Sequence, residues 1–175
     1  MQKYKSLQLG ATYLLRNQMY EFLNHIPSDS MYSKQCSLMG GSCGQHIRHI
    51  FDHFECLATN ISSLAEYDTF RNRNSSVEMS LKLSKIKLLE LDKKLTNIIE
   101  NEDLSQNVSV SFLTGGEDVT FQSTLARELS FCIHHSYHHC HTMKVIASNN
   151  GFGDSCPSNF GIAPSTEEHI RQEKA

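Results

Sequence analysis

Four amphipathic stretches joined by polar or glycine-rich connections predict an all-α protein, an antiparallel four-helix bundle with a small β-hairpin before the fourth helix. Three observations carry that expectation. Apolar residues recur at helical spacing in each stretch, a period of two interrupts them once between the third and fourth, and two of the stretches carry clustered histidines. The 175 residues, 39% of them hydrophobic, suffice for one core, so a single domain over residues 1–175 is expected.

The first helix spans Leu7 to Ile26, with Leu15, Met19, Phe22 and Ile26 on one face, and Pro27 followed by Ser28-Asp29-Ser30 ends it. Met31 to Gly44 has no period and reads as a loop, in which Gly40-Gly41-Ser42 closes with a candidate N-cap. The second helix then runs from about Cys43 to Ala65 on a stripe of Ile47, Ile50, Phe54, Leu57, Ile61 and Leu64.

After the polar connection Thr69 to Asn74, Ser75 or Ser76 caps a long third helix reaching about Ile99. Its core face is Val77, Leu81, Leu88, Leu91, Leu95 and Ile98, with Met79, Leu83 and Ile86 as a shorter second stripe. Val108, Val110 and Phe112 then alternate with serines, and Val119-Thr120-Phe121 answers them across Gly115-Gly116, which is a hairpin pattern. Ser123 or Thr124 starts the fourth helix, in which Arg127 to Ala147 reads without a break. The tail from Asn149 to Ala175 is interrupted by glycines and prolines and has room for one short helix after Ser165.

The formal net charge is −3 and the basic residues are dispersed, so nothing here would neutralise a phosphate backbone, and no nucleic-acid partner is expected. Met1-Gln2-Lys3-Tyr4-Lys5 does not lead into the apolar run of a secretory leader, and no segment approaches the ~18 apolar residues of a membrane span. A soluble cytoplasmic protein with no membrane partner is the expectation. Cys36, Cys43, Cys56, Cys132, Cys140 and Cys156 contain no CxxC, so reduced structural thiols are expected rather than a disulfide framework.

The chemistry concentrates in His135-Ser136-Tyr137-His138-His139. His135 and His139 lie one helical turn apart, so both imidazoles can reach one metal ion. On a helical wheel they fall at the margin of the apolar face, roughly 90° and 50° from its centre. His138 lies about 60° round from His135, where it could act behind the ligands or in acid–base work. A third ligand must come from the second helix, where His46, His49 and His53 share a face; periodicity does not choose among them and places His46 and His53 nearer the centre of the stripe. Three histidines from two helices would leave a coordination position open, as catalytic zinc sites do, with Cys56 and Cys132 weaker alternatives to water as a fourth ligand.

The succession Ser42-Cys43-Gly44-Gln45-His46-Ile47-Arg48-His49-Ile50-Phe51-Asp52-His53, then Tyr67-Asp68 with Arg71 and Arg73, then Arg127-Glu128-Leu129 and His135-Ser136-Tyr137-His138-His139, resembles the DinB superfamily. It looks especially like bacterial members with a Gly-Gln-His-hydrophobic-Arg-His helix and a closing segment such as Asn159 to Thr166. The resemblance implies a DinB-type four-helix bundle, related to YfiT-like metal-dependent hydrolases and to bacillithiol and mycothiol S-transferases. It also implies a metal triad of one histidine from the second helix and an HxxxH pair from the fourth. On this chain the triad is His49, His135 and His139, binding zinc or nickel, and His46 and His53 become neighbours of the site.

Arg71 could hold an anionic substrate group, although an Asp68–arginine ion pair fastening the loop is the simpler account. Arg48 and Asp52 are one turn apart and read as a surface pair, and Glu128 could accept a ligand's distal N–H. His138, His53 and Arg71 are thus the candidate catalytic groups. The function expected is a metal-dependent hydrolase or thiol S-transferase acting on a small-molecule substrate or thiol, as a homodimer. The rivals are a non-catalytic metal- or ligand-binding bundle and an accessory protein working through a protein partner. No Gly-x-Ser-x-Gly elbow suggests a serine nucleophile.

Overall fold

Helices α4 (Cys43–Thr59) and α6 (Leu125–Asn149) form the spine of the structure, a computed structural model that describes residues 4–173. Residues 1–3 and 174–175, which the leader and tail expectations include, lie outside the described residues. The two helices run antiparallel. Cys43 meets the carbonyl of Met143, His46 meets His139, His49 meets His135, and His53 meets Phe131, so positions ascend on one helix as they descend on the other.

Each of these helices starts at a side-chain cap. Ser42 and Gln45 form a reciprocal capping box on α4, with Gln45 N–H donating to Ser42 Oγ at 3.2 Å and Ser42 N–H donating to Gln45 Oε1 at 3.0 Å. Thr124 Oγ1 accepts from Arg127 N–H at the start of α6. Against this pair pack α5 (Leu81–Asn101) and a long amino-terminal helical stretch. The latter is built of α1 (Lys5–Thr12), a π-helical segment (Tyr13–Tyr20) and α2 (Glu21–His25), and the single turn α3 (Asp29–Tyr32) follows it. Leu15, Met19, Phe22, Ile47, Ile50, Phe54, Leu88, Leu91, Leu95, Leu129, Met143 and Ile146 fill the space between them.

The expected all-α four-helix bundle is not what the chain builds. The fold is mixed, with a three-stranded sheet in the order β1-β2-β3 beside the helices. β1 (Leu64–Glu66) pairs parallel with β2 (Asn107–Thr114), which pairs antiparallel with β3 (Glu117–Thr124). The difference arises at the end of α4, expected to continue to Ala65. It stops at Thr59, where Asn60 turns the chain: its side chain donates to Cys56 O at 2.8 Å, and Ser63 bonds back to it through both N–H and Oγ. Serine and asparagine compete with helical hydrogen bonds in this way. Beyond the turn burial alternates. Ala65 and Tyr67 point inward while Leu64, assigned to the helical stripe, is exposed.

The third helix also begins later than expected. A 3-10 turn at Ser76–Glu78 precedes α5, whose cap is Ser80, and Met79, Leu83 and Ile86 of the shorter stripe are exposed. Gly44 lets that 3-10 turn lie against the start of α4, since a Cβ there would collide with the Glu78 carbonyl. The tail folds back over the amino-terminal helix through a Phe22–Phe160 stack at 4.0 Å and a Gly161 N–H to Gln18 Oε1 bond at 2.8 Å. α7 (Pro164–Glu173) closes the described chain. Among the described residues no helix is long and apolar enough to cross a membrane.

Candidate metal centre

His49 of α4 and His135 and His139 of α6 converge on one point, each offering a nitrogen within 4.8 Å of the others. His135 Nε2 lies 3.3 Å from His49 Nε2 and 3.0 Å from His139 Nε2. Two nitrogens bound about 2.0–2.1 Å from a tetrahedral zinc stand about 3.3–3.4 Å apart, which the His49–His135 distance matches and the His135–His139 distance undercuts by a few tenths of an ångström. This group could hold a metal ion.

The rings are poised as neutral ligands. Burial, reinforced by neighbouring histidines, pushes His49 down to about 3, His135 to about 4 and His139 to about 2. Their lone pairs are therefore free near neutral pH. The flanking α4 histidines orient them. His46 Nδ1 lies 2.9 Å from His139 Nδ1, on the side of the ring away from the cluster. His53 Nδ1 donates to His49 O at 3.0 Å, and the His53 ring sits 4.4 Å and 4.5 Å from those of His49 and His135. His53 also stacks on Tyr67 at 5.3 Å, and both are buried. His138 is exposed, with its ring 6.2 Å from His135 and 5.1 Å from His139.

A cavity of about 430 Å³ opens beside the cluster, lined among others by His46, His49, His139, Arg48, Arg71 and Arg73. Its loop wall is held by carboxylates. Asp52 Oδ2 accepts Asn72 N–H at 3.2 Å, Glu78 Oε1 accepts Asn74 N–H at 3.2 Å, and Asp68 Oδ2 accepts Leu113 N–H at 2.8 Å. Asn74 takes φ 57°, a left-handed conformation that asparagine tolerates better than most residues. Arg71 lines the cavity and pairs with Asp68 at 2.9 Å, the loop-fastening ion pair weighed from sequence.

Several sequence expectations are corrected here. Arg48 and Asp52 are not a surface pair: both are buried, and Arg48 bridges Asp52 at 2.6 Å and Glu78 at 2.8 Å. Glu128 touches no ligand. It is fully buried and accepts from Tyr67 Oη at 3.0 Å, Ser123 Oγ at 2.6 Å and Arg127 Nη1 at 2.6 Å. Cys132 meets Tyr67 Oη rather than the histidines, and burial pushes Cys56 up to about 12. All six cysteines are free thiols.

No protein-family model matches the chain, and no solved structure matches it. Among curated proteins, FK506-binding protein 5 of Rhizopus delemar is 31% identical over 121 residues, which is 66% of this chain and 30% of that protein. The chain thus spans less than a third of the length of that relative.

Glu78 and Gln45 were not singled out as site-building residues from sequence. Gln45 carried a signal, since Ser42-x-x-Gln45 is a capping-box pattern. Glu78 carried none. It lies in what resembled the first turn of the third helix, and its partner Arg48 is 30 residues away.

Proposed function

We propose that this chain is a divalent-metal protein of the DinB superfamily, in which His49, His135 and His139 hold zinc or nickel at an open site for hydrolysis or thiol S-transfer. The convergence of three Nε2 atoms at 3.0 and 3.3 Å beside a cavity carries the reading. The reaction class rests on the resemblance of the sequence motifs to that superfamily. A bound divalent ion would supply Lewis acidity and bring a coordinated water or thiol toward ionisation near neutral pH.

The chain's own residues do the rest. His46 accepts the Nδ1 proton of His139, which fixes the tautomer that leaves Nε2 free for the ion. His53, anchored through Nδ1 to the His49 carbonyl, keeps Nε2 available to take a proton from an incoming water or thiol. His138, at the exposed edge, is placed to return a proton to a leaving group. Imidazole ligands without thiolate or carboxylate suit zinc and nickel.

In this reading the protein acts in the cytoplasm on a small molecule, which six free thiols support. A homodimer is supported by the exposed Met79, Leu83, Ile86 and Leu89 on and beside α5. FK506 binding is not carried over from the Rhizopus delemar protein, of which the shared stretch is 30%.

The test is a paired screen on metal-loaded protein, one arm presenting thiols with electrophiles and the other presenting esters and amides. Turnover in one arm that disappears on chelation and in His53→Ala is expected. Turnover unaffected by chelation, or none in either arm, would refute the catalytic reading.

A further inference from the structure

The cavity beside the three histidines carries a cation with no partner. Of its arginines, Arg48 is bound to Asp52 and Glu78, and Arg71 gives Nε and Nη2 to Asp68, both at 2.9 Å. Arg73, in the same lining, has no ion pair or hydrogen bond to any described residue. Three guanidinium groups there face one carboxylate, Glu78, and that carboxylate is already engaged by Arg48 and by Asn74 N–H.

The segment that presents Arg73 is built rather than loose. Asn72 N–H and Asn74 N–H, one residue to either side, are fixed to Asp52 and Glu78, two buried carboxylates. Those anions thereby spend their charge on the loop and on Arg48, leaving the Arg73 fork for something else. A guanidinium presents parallel N–H donors that match the two oxygens of a carboxylate or phosphate. Arg71 adds its unused Nη1. At about 430 Å³ the cavity lies toward the small end of ligand sites, so it suits a metabolite-sized molecule.

We infer that the cavity binds a small molecule bearing a carboxylate or phosphate, gripped by Arg73 with help from Arg71, which points its reacting end at His49 and His139. The orientation toward the histidines rests on the metal reading above; the anion site itself, made by Arg73 with Arg71, does not need the metal.

The test is calorimetric titration of inorganic phosphate, and separately of succinate, into zinc-loaded and EDTA-treated protein, with zinc content measured in the same samples. Variants are Arg73→Ala, Arg73→Lys, and Lys93→Ala as a control for losing one exposed charge on α5. One anion site per chain is expected, weakened about tenfold or more by Arg73→Ala, less by Arg73→Lys, and no more than about twofold by Lys93→Ala. The anion bound more tightly identifies the substrate's charged group. No anion binding in the unaltered protein, or equal losses in Arg73→Ala and Lys93→Ala, would overturn the inference. Arg73-dependent binding in a protein that takes up no zinc would refute the metal reading and keep the anion site.

Discussion

His46 Nδ1 lies 2.9 Å from His139 Nδ1, so the two helices meet through a pair of imidazoles in which only one nitrogen can carry the shared proton. When His139 Nε2 holds an ion, as proposed, the proton belongs on His139 Nδ1 and His46 accepts it. Removing such a supporting hydrogen bond typically weakens metal binding by about 10- to 100-fold. His46→Ala should therefore keep one zinc per chain at saturation but lose affinity in a chelator competition. An unchanged affinity would mean that His46 does not set the tautomer.

The metal-free protein should be acid-sensitive. His49, His135 and His139 have values of about 3, 4 and 2 in the folded chain, lowered chiefly by burial, against an ordinary value of about 6.5 when unfolded. Between those limits the unfolded chain binds more protons, so stability rises with pH. It is fully present above about pH 6.5 and is lost as pH falls from there toward about 2, where the last of the three rings takes its proton in the folded chain. Thermal melts in EDTA from pH 8 down to pH 5 should show a falling Tm, with the decline reduced at saturating zinc. A Tm flat across that range would contradict the buried neutral cluster.

Glu128 ties the sheet to α6. It is fully buried, and Tyr67, Ser123 and Arg127 all donate to it. Glu128→Ala leaves the buried Tyr67 hydroxyl without its carboxylate and should cost roughly 3 kcal/mol in urea denaturation. Zinc stoichiometry should not change, since no histidine bonds to Glu128.

Gly44 allows the closest approach between α4 and the 3-10 turn that carries Glu78. In Gly44→Ala the new methyl would meet backbone rather than a pliable side chain, so a loss of about 1–3 kcal/mol is expected. Because Glu78 holds Asn74 and Arg48, the same change should also weaken phosphate binding in the cavity. A variant as stable as the parent would show that the turn can move away.

Parts of this architecture are readable from residue order because they are local. Ser42 capping α4 and the i, i+4 placement of His135 and His139 depend only on neighbours in sequence. β1 was not readable: three residues contain a single inward position, Ala65, and the pairing partner Ser109–Ser111 lies over 40 residues away. The choice among the α4 histidines failed on the wheel for a related reason. Apolar spacing shows which face is buried, but the crossing of α6 decides which residue meets His135. His49 is that residue, with His46 and His53 flanking it on either side. The buried Arg48–Glu78 bridge was equally invisible, since only the folded chain brings those residues together.

The central claim is that three imidazole nitrogens from α4 and α6 make one metal site. Metal analysis of protein purified without a metal-affinity tag, followed by zinc and nickel titration of the chelated protein, tests it most directly. One equivalent of divalent metal per chain is expected, lost in His49→Ala, His135→Ala and His139→Ala while His53→Ala retains it. No metal uptake by the parent, or full retention in those three variants, would contradict the account.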